Sequence, residues 1–133
     1  MKPIAIVTGT SAGIGAATAA EFLTDGWKVI GLSRRPCPVE GVDWKQVDFL
    51  KPNWENELVP WLKNHIPHKM KISLIHNAAM MNKDSAVNMP LDALRNTLEL
   101  NVVTPCALNN HLAPLMDKGS SILYVGSTLS EKA

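Results

Sequence analysis

Three glycines, Gly9, Gly13 and Gly15, fall within residues 8–15 (TGTSAGIG), between the apolar run IAIV and an alanine-rich stretch. Residues without side chains in such a place let the backbone come close to something large. A strand running straight into a helix also aims unpaired N–H groups at it. The chemistry is recognition of a pyrophosphate. Gly9 permits the tight turn, Gly13 the close approach of backbone to phosphate, and Gly15 the close packing of helix on strand. Thr10, Ser11 and Ile14 complete the ligand-facing loop. No G-K-S/T closes it, so it is not the P-loop of nucleoside triphosphatases.

A second piece of chemistry stands about 20 residues further on, in VIGLSRR. An NAD site usually offers an acid there, which accepts hydrogen bonds from the ribose 2′-hydroxyl. This chain has Ser33, Arg34 and Arg35 instead. An acid would repel a 2′-phosphate, whereas a guanidinium binds one through paired charge-assisted hydrogen bonds. NADP is therefore the expected cofactor in preference to NAD. Metal chemistry is not expected: Cys37 and Cys106 are far apart, and His65, His68, His76 and His111 show no ligand spacing with them.

These groups need a scaffold, and the apolar pattern supplies one. Ile4 to Val7, Val29 to Leu32, Ile72 to Ile75 and Ile122 to Val125 are near-continuous apolar runs, as in strands buried on both faces of a parallel sheet. Trp44 to Asp48 is a weaker, alternating run suited to an edge. Gly13 to Asp25, closed by Gly26, and Asn53 to His65 read as crossover helices. In the second, Trp54, Leu58, Trp61 and Leu62 share one face, so the tryptophans are expected to pack. Leu91 to Met116 is a long helical stretch that Pro105 and Pro114 should bend or break. Right-handed crossovers then give an α/β doubly wound parallel sheet, with the glycine loop at the carboxyl ends of the strands where the winding reverses.

With 133 residues, 46% of them apolar, and a net charge of +1, the chain has material for one core. Near-neutral, scattered charge leaves no electrostatic footprint for nucleic acid or an anionic membrane. No apolar run approaches the roughly 20 residues of a membrane span, and no signal peptide is evident. A cytoplasmic protein with reduced thiols is the expectation.

The glycine spacing T-G-x-x-x-G-x-G resembles that of the short-chain dehydrogenase/reductase family, and four later stretches agree with it. Asp48, followed by Phe49 in VDFL, stands where the family sets an acid against the adenine ring. Asn77-Ala78-Ala79 is similar to its N-A-G motif, Asn101 in LELNVVTP to its helix asparagine, and Ser127 to its strand-end serine. The resemblance implies a Rossmann-like fold and hydride transfer between NADP(H) and a small carbonyl or alcohol. Ser127 and Asn101 would belong to the catalytic apparatus, and Asp48, Phe49, Asn77, Ala78 and Ala79 to the cofactor site.

The family's Tyr-x-x-x-Lys should follow the serine by about a dozen residues and is not among these 133. Tyr124 lies an odd three residues before Ser127, so the two face opposite sides of a strand; a core or helix-facing place is expected for it. Lys132 reads as solvated. The expectation is a single, incomplete Rossmann-type domain over residues 1–133, truncated after its fifth strand and inactive alone. Its last strand would form an open edge that favours a homo-oligomer. A non-catalytic NADP(H)-binding module and a nucleotide-binding interaction subunit are the alternatives.

Overall fold

A computed structural model describes residues 1–81 and 85–126 of the chain. The apolar runs become strands β1 (Ile4–Thr8), β2 (Lys28–Ser33), β4 (Ile72–His76) and β5 (Ser121–Tyr124), and the alternating run becomes β3 (Asp43–Gln46). All pair in parallel, in the order β3-β2-β1-β4-β5. β3 thus takes the edge that its pattern suggests. β1 lies at the centre, between β2 and β4, and the winding reverses there. A Rossmann-like α/β sheet is formed.

Helix α1 (Gly13–Thr24) follows β1, α2 (Glu55–His65) follows β3, and no helix separates β2 from β3. The two faces of the sheet bury different sets of residues. On one, Ala5, Val7, Val29 and Ile75 meet Ala19 of α1, with Phe22, Leu23 and Trp27 beside them. On the other, Ile4, Ile6, Ile30, Leu32, Ile72 and Leu74 meet Leu58 and Leu62 of α2 and Leu108 and Leu112 further along. Odd residues of β1 on one face and even ones on the other follow from the period of two in a strand. Each large aliphatic side chain fully withdrawn from water contributes about 1.5–3 kcal/mol, so this double layer is what fixes the strand ends. Trp54 and Trp61 pack against the second cluster, as their spacing on α2 requires.

The stretch carrying Pro105 is divided. α3 (Leu91–Leu98) runs into a π-helical turn over Glu99–Val103, then α4 (Thr104–Leu112) and a 3₁₀ turn over Ala113–Leu115. Proline has no N–H to give to the carbonyl four residues back and its ring crowds that carbonyl. The wide turn sits over Asn101, the residue that a regular α-helix would pair with Pro105, and absorbs the mismatch. Pro114 likewise coincides with the tightening into a 3₁₀ turn.

His76 ends β4 and ties three elements together. Its Nε2 lies 2.8 Å from Asn109 Oδ1 on α4, and Asn109 Nδ2 donates to the Tyr124 hydroxyl at 2.8 Å. The His76 and Tyr124 rings are 4.8 Å apart between centroids. Tyr124 therefore does turn toward a helix. It is not core, being 54% exposed, because β5 is an edge strand whose Ile122 and Leu123, with Val125 just beyond it, are also partly open to solvent.

An amide oxygen accepts only, so the imidazole carries its proton on Nε2. Burial pushes His76 below its ordinary value of 6.5, against the opposing effect of the Asn109 hydrogen bond. The unfolded chain then takes up a proton more readily than the folded one. This contribution to stability is full above the ordinary histidine value and is lost as pH falls through it and below. The melting temperature is accordingly expected to fall from about pH 7.5 to about pH 5.5 by more in the unmutated chain than in His76→Gln. Parallel melting curves for the two proteins would show that His76 does not carry this dependence.

Candidate functional site

The turn from β1 into α1 is shaped by contacts that leave no room for side chains. Gly9 has φ +72° and Gly13 φ +57°, both in the left-handed region that favours glycine. A Cβ on Gly15 would overlap the Gly9 carbonyl oxygen and come within 2.6 Å of Asn77 Nδ2. A Cβ on Gly13 would meet no protein atom within 4 Å. Gly15 is thus fixed by the protein itself, while the space beside Gly13 is free for another molecule.

The loop after β4 holds the glycine turn in place. Asn77 Nδ2 donates to the Gly9 carbonyl at 3.1 Å, and the backbone N–H groups of Asn77 and Ala78 donate to Thr8 Oγ1 at 2.9 and 2.8 Å. Thr8 was not singled out in the sequence, although it is the first residue of the glycine motif. Beyond this clamp Ala12 stands at the N-cap of α1, with no side chain capping the helix and no acid in its first turn. Its first N–H groups, and the positive end of its dipole, remain available to an anion.

A cleft of about 340 Å³ opens beside the turn and brings together nine of the residues expected at a cofactor site: Gly9, Ser11, Ser33, Arg34, Arg35, Asp48, Phe49, Ala78 and Ala79. Met80 and Leu100 also line it. The remaining expected residues stand outside its lining. Thr10 is fully buried, Gly13 and Gly15 lie in the first turn of α1, Ile14 is 62% exposed there, and Asn77 acts on the loop. Phe49 is buried, its ring edge-on to Trp54 with 4.9 Å between centroids, so its side chain serves the core. Asp48 Oδ1 accepts the N–H of Leu50 at 3.0 Å, which closes the turn after β3.

Ser33 lines the cleft while its hydroxyl is engaged by protein groups. Its hydroxyl donates to the Arg35 carbonyl at 2.7 Å and accepts from Trp44 Nε1 at 2.9 Å; Thr10 Oγ1 lies 3.2 Å away. Asn101 likewise spends its amide on backbone: Oδ1 accepts from Met80 N–H and Nδ2 donates to the Met80 carbonyl, both at 2.9 Å. It pins the cleft wall to the π turn. Ser127 and Lys132 lie outside the described residues. Among the described residues there is no metal-binding cluster, and no helix is long and apolar enough to cross a membrane.

A glycine turn leading into an uncapped helix, at the point where a parallel sheet reverses its winding, is the arrangement of a dinucleotide-binding α/β domain. The chain belongs to the short-chain dehydrogenase family, whose profile matches residues 3–133. It is 29% identical over 130 residues to the short chain dehydrogenase adrF of Penicillium rubens, which covers 93% of this chain and 51% of that protein. It is 30% identical over 141 residues to an uncharacterized oxidoreductase of Thermotoga maritima, covering 94% of this chain and 53% of that one. The chain thus spans about half the length of the curated relatives it matches.

Solved structures agree on the fold. A short-chain dehydrogenase/reductase from Burkholderia vietnamiensis superposes with a TM-score of 0.85 over 100% of this chain and 69% of its own, at 22% identity. An oxidoreductase of the family from Brucella ovis, in complex with a partially ordered NAD, gives 0.72 over 85% of this chain and 56% of its own, at 26% identity. The family's nicotinamide cofactor fits the residues present here: the free space at Gly13, the uncapped N–H groups and the adjoining cleft suit a pyrophosphate and an adenosine.

The two glycines are expected to fail differently. Gly15→Ala forces helix off strand and should destabilise the chain by about 1–3 kcal/mol, the range for overpacking. Gly13→Ala, strained by about 1–2 kcal/mol in its left-handed backbone, should still fold and in addition lose at least about tenfold in dinucleotide affinity, equivalent to about 1.4 kcal/mol. Urea denaturation and fluorescence titration of both variants check this. Unchanged dinucleotide affinity in folded Gly13→Ala would contradict the assignment of their roles.

Proposed function

We propose that this chain is the cofactor-binding part of an NADP-dependent short-chain oxidoreductase, which moves a hydride between NADP(H) and a small carbonyl or alcohol. The observation that carries the choice of cofactor is the pair Arg34 and Arg35, exposed at the end of β2 and on the lining of the cleft, where an NAD site would present an acid. Neither guanidinium forms an ion pair among the described residues. Arg34, nearer the strand end, is the principal 2′-phosphate ligand in this reading, with Arg35 beside it.

The other residues divide the work. The N–H groups at the start of α1 hold the pyrophosphate, Asp48 faces the adenine, and Ala78 and Ala79 let the wall after β4 lie close to the cofactor. Asn77 keeps the glycine turn in shape, and Asn101 serves catalysis by fixing the backbone at Met80. When bound, the cofactor would supply the hydride. Negative charge then grows on the substrate oxygen, and Ser127 is the donor this chain offers to it. The proton must come from a group at the position of the family's Tyr-x-x-x-Lys, which residues 1–133 do not contain. Acid–base groups of this kind typically contribute about 10²–10⁴-fold. Residues 1–133 by themselves should therefore show no measurable NADPH-dependent carbonyl reduction.

The reading extends to a cytoplasmic homo-oligomer. It is supported by the free thiols of Cys37 and Cys106 and by exposed apolar residues such as Leu98, Val102 and Leu123.

Titration with the two reduced cofactors tests the central claim. NADPH is expected to bind more tightly than NADH, and Arg34→Ala to narrow the gap by about 1.5–3 kcal/mol, the range for a hydrogen bond to a charged group. Equal affinities in the unmutated chain would remove the assignment.

A further inference from the structure

The two arginines sit on a turn whose backbone is held by side chains that cannot touch a cofactor through the same atoms. The Ser33 hydroxyl has one proton and two lone pairs. Its proton goes to the Arg35 carbonyl, at 2.7 Å. One lone pair takes the Trp44 indole N–H at 2.9 Å, which leaves the Thr10 hydroxyl as the donor across the 3.2 Å contact to the other. The capacity of Ser33 is thereby filled, and it is 6% exposed. Thr10 reaches this place because residue 31 is glycine: a Cβ there would lie 2.8 Å from Thr10 Oγ1. On the other side of the turn, Gln46 Nε2 donates to the Arg34 carbonyl at 3.1 Å. Both arginine carbonyls are thus clamped, and two of the clamping groups, Trp44 and Gln46, come from the edge strand β3. The parallel register sets Gly31 beside Trp44 and Ser33 beside Gln46, so both are carried to the turn.

We infer that Trp44 and Gln46 are positioning residues for cofactor choice, acting through the backbone of Arg34 and Arg35 rather than on the cofactor. This rests on the NADP reading above. A guanidinium on a loose turn must be ordered when it binds a phosphate, and that ordering weakens binding; a turn already held avoids the loss. A cofactor without a 2′-phosphate makes no use of the arginines and gains nothing from the clamps. The strand edge therefore sets the ratio of the two affinities, while the glycine turn sets their common level.

The test is a double-mutant cycle read by binding, with no turnover required. Trp44→Phe keeps the ring and removes the N–H; Gln46→Met keeps the chain length and removes the donor. Each is expected to weaken NADPH by about three- to tenfold, the effect of one hydrogen bond, with NADH changed by less than about twofold. In a background with Arg34→Ala and Arg35→Ala, neither substitution should alter the ratio any further. Gln46 is exposed, so Gln46→Met provides the answer even if melting shows Trp44→Phe to be unfolded. An unmutated chain that binds both cofactors equally would sink the NADP reading and this inference with it. A preference that vanishes in Arg34→Ala but survives in folded Trp44→Phe and Gln46→Met would overturn the inference alone. So would a parallel weakening of both cofactors, or an undiminished effect in the arginine-free background.

Discussion

The Gly9 carbonyl oxygen occupies the place where residue 15 would carry its Cβ, and much of the site depends on that exclusion. With a side chain at 15, α1 would stand away from β1, and the N–H groups at its start would no longer lie over the strand end. The same carbonyl accepts from Asn77 Nδ2, so the loop after β4 is tied to the same point. Thr8 Oγ1 adds two more bonds from the backbone of that loop. Strands β1 and β4 are neighbours at the reversal of the sheet. The clamp joins the two sides of that crevice directly and keeps it at a fixed width.

The elements of the fold were legible because the signals were long and consistent. Continuous apolar runs, flanked by glycine and polar residues, specify buried parallel strands irrespective of their partners, and Trp54, Leu58, Trp61 and Leu62 specify one face of a helix. Pro105 announced a disturbance in the long helix. The form it took, a π turn over Glu99–Val103, depends on how the next turn packs on the sheet through Leu108 and Leu112, which the local sequence does not encode.

Individual side chains were harder to read, and the physical reason is the same in each case. Ser33 and Phe49 line the cleft and Asn101 follows Leu100, which also lines it, and sequence position gives no information about which way a hydroxyl, ring or amide turns. Ser33 turns to a carbonyl and an indole, Phe49 to the core and Asn101 to the Met80 backbone. What these residues share is service to the shape of the cleft. Trp44 could have been suspected from the alternation of its strand, which puts it on the face opposite the buried Val47; its partner, 11 residues earlier, could not.

The strands of this sheet are not held equally. β1, β2 and β4 are buried on both faces by α1 on one side and α2 with α4 on the other, and the glycine turn, the arginine turn and the Asn77 loop all spring from their ends. These segments are held by a core that is complete around them. β5 is different: its four residues are exposed, and its side-chain ties are the Ser73–Ser121 hydroxyl pair and the Tyr124 contacts with Asn109 and His76. The position expected to assist the substrate, Ser127, follows this thinly held strand. Local stability tracks buried apolar contact, so fluctuations at β5 cost less than fluctuations at β1, β2 and β4. On the proposed reading, a dinucleotide meets the strands with the most complete core around them.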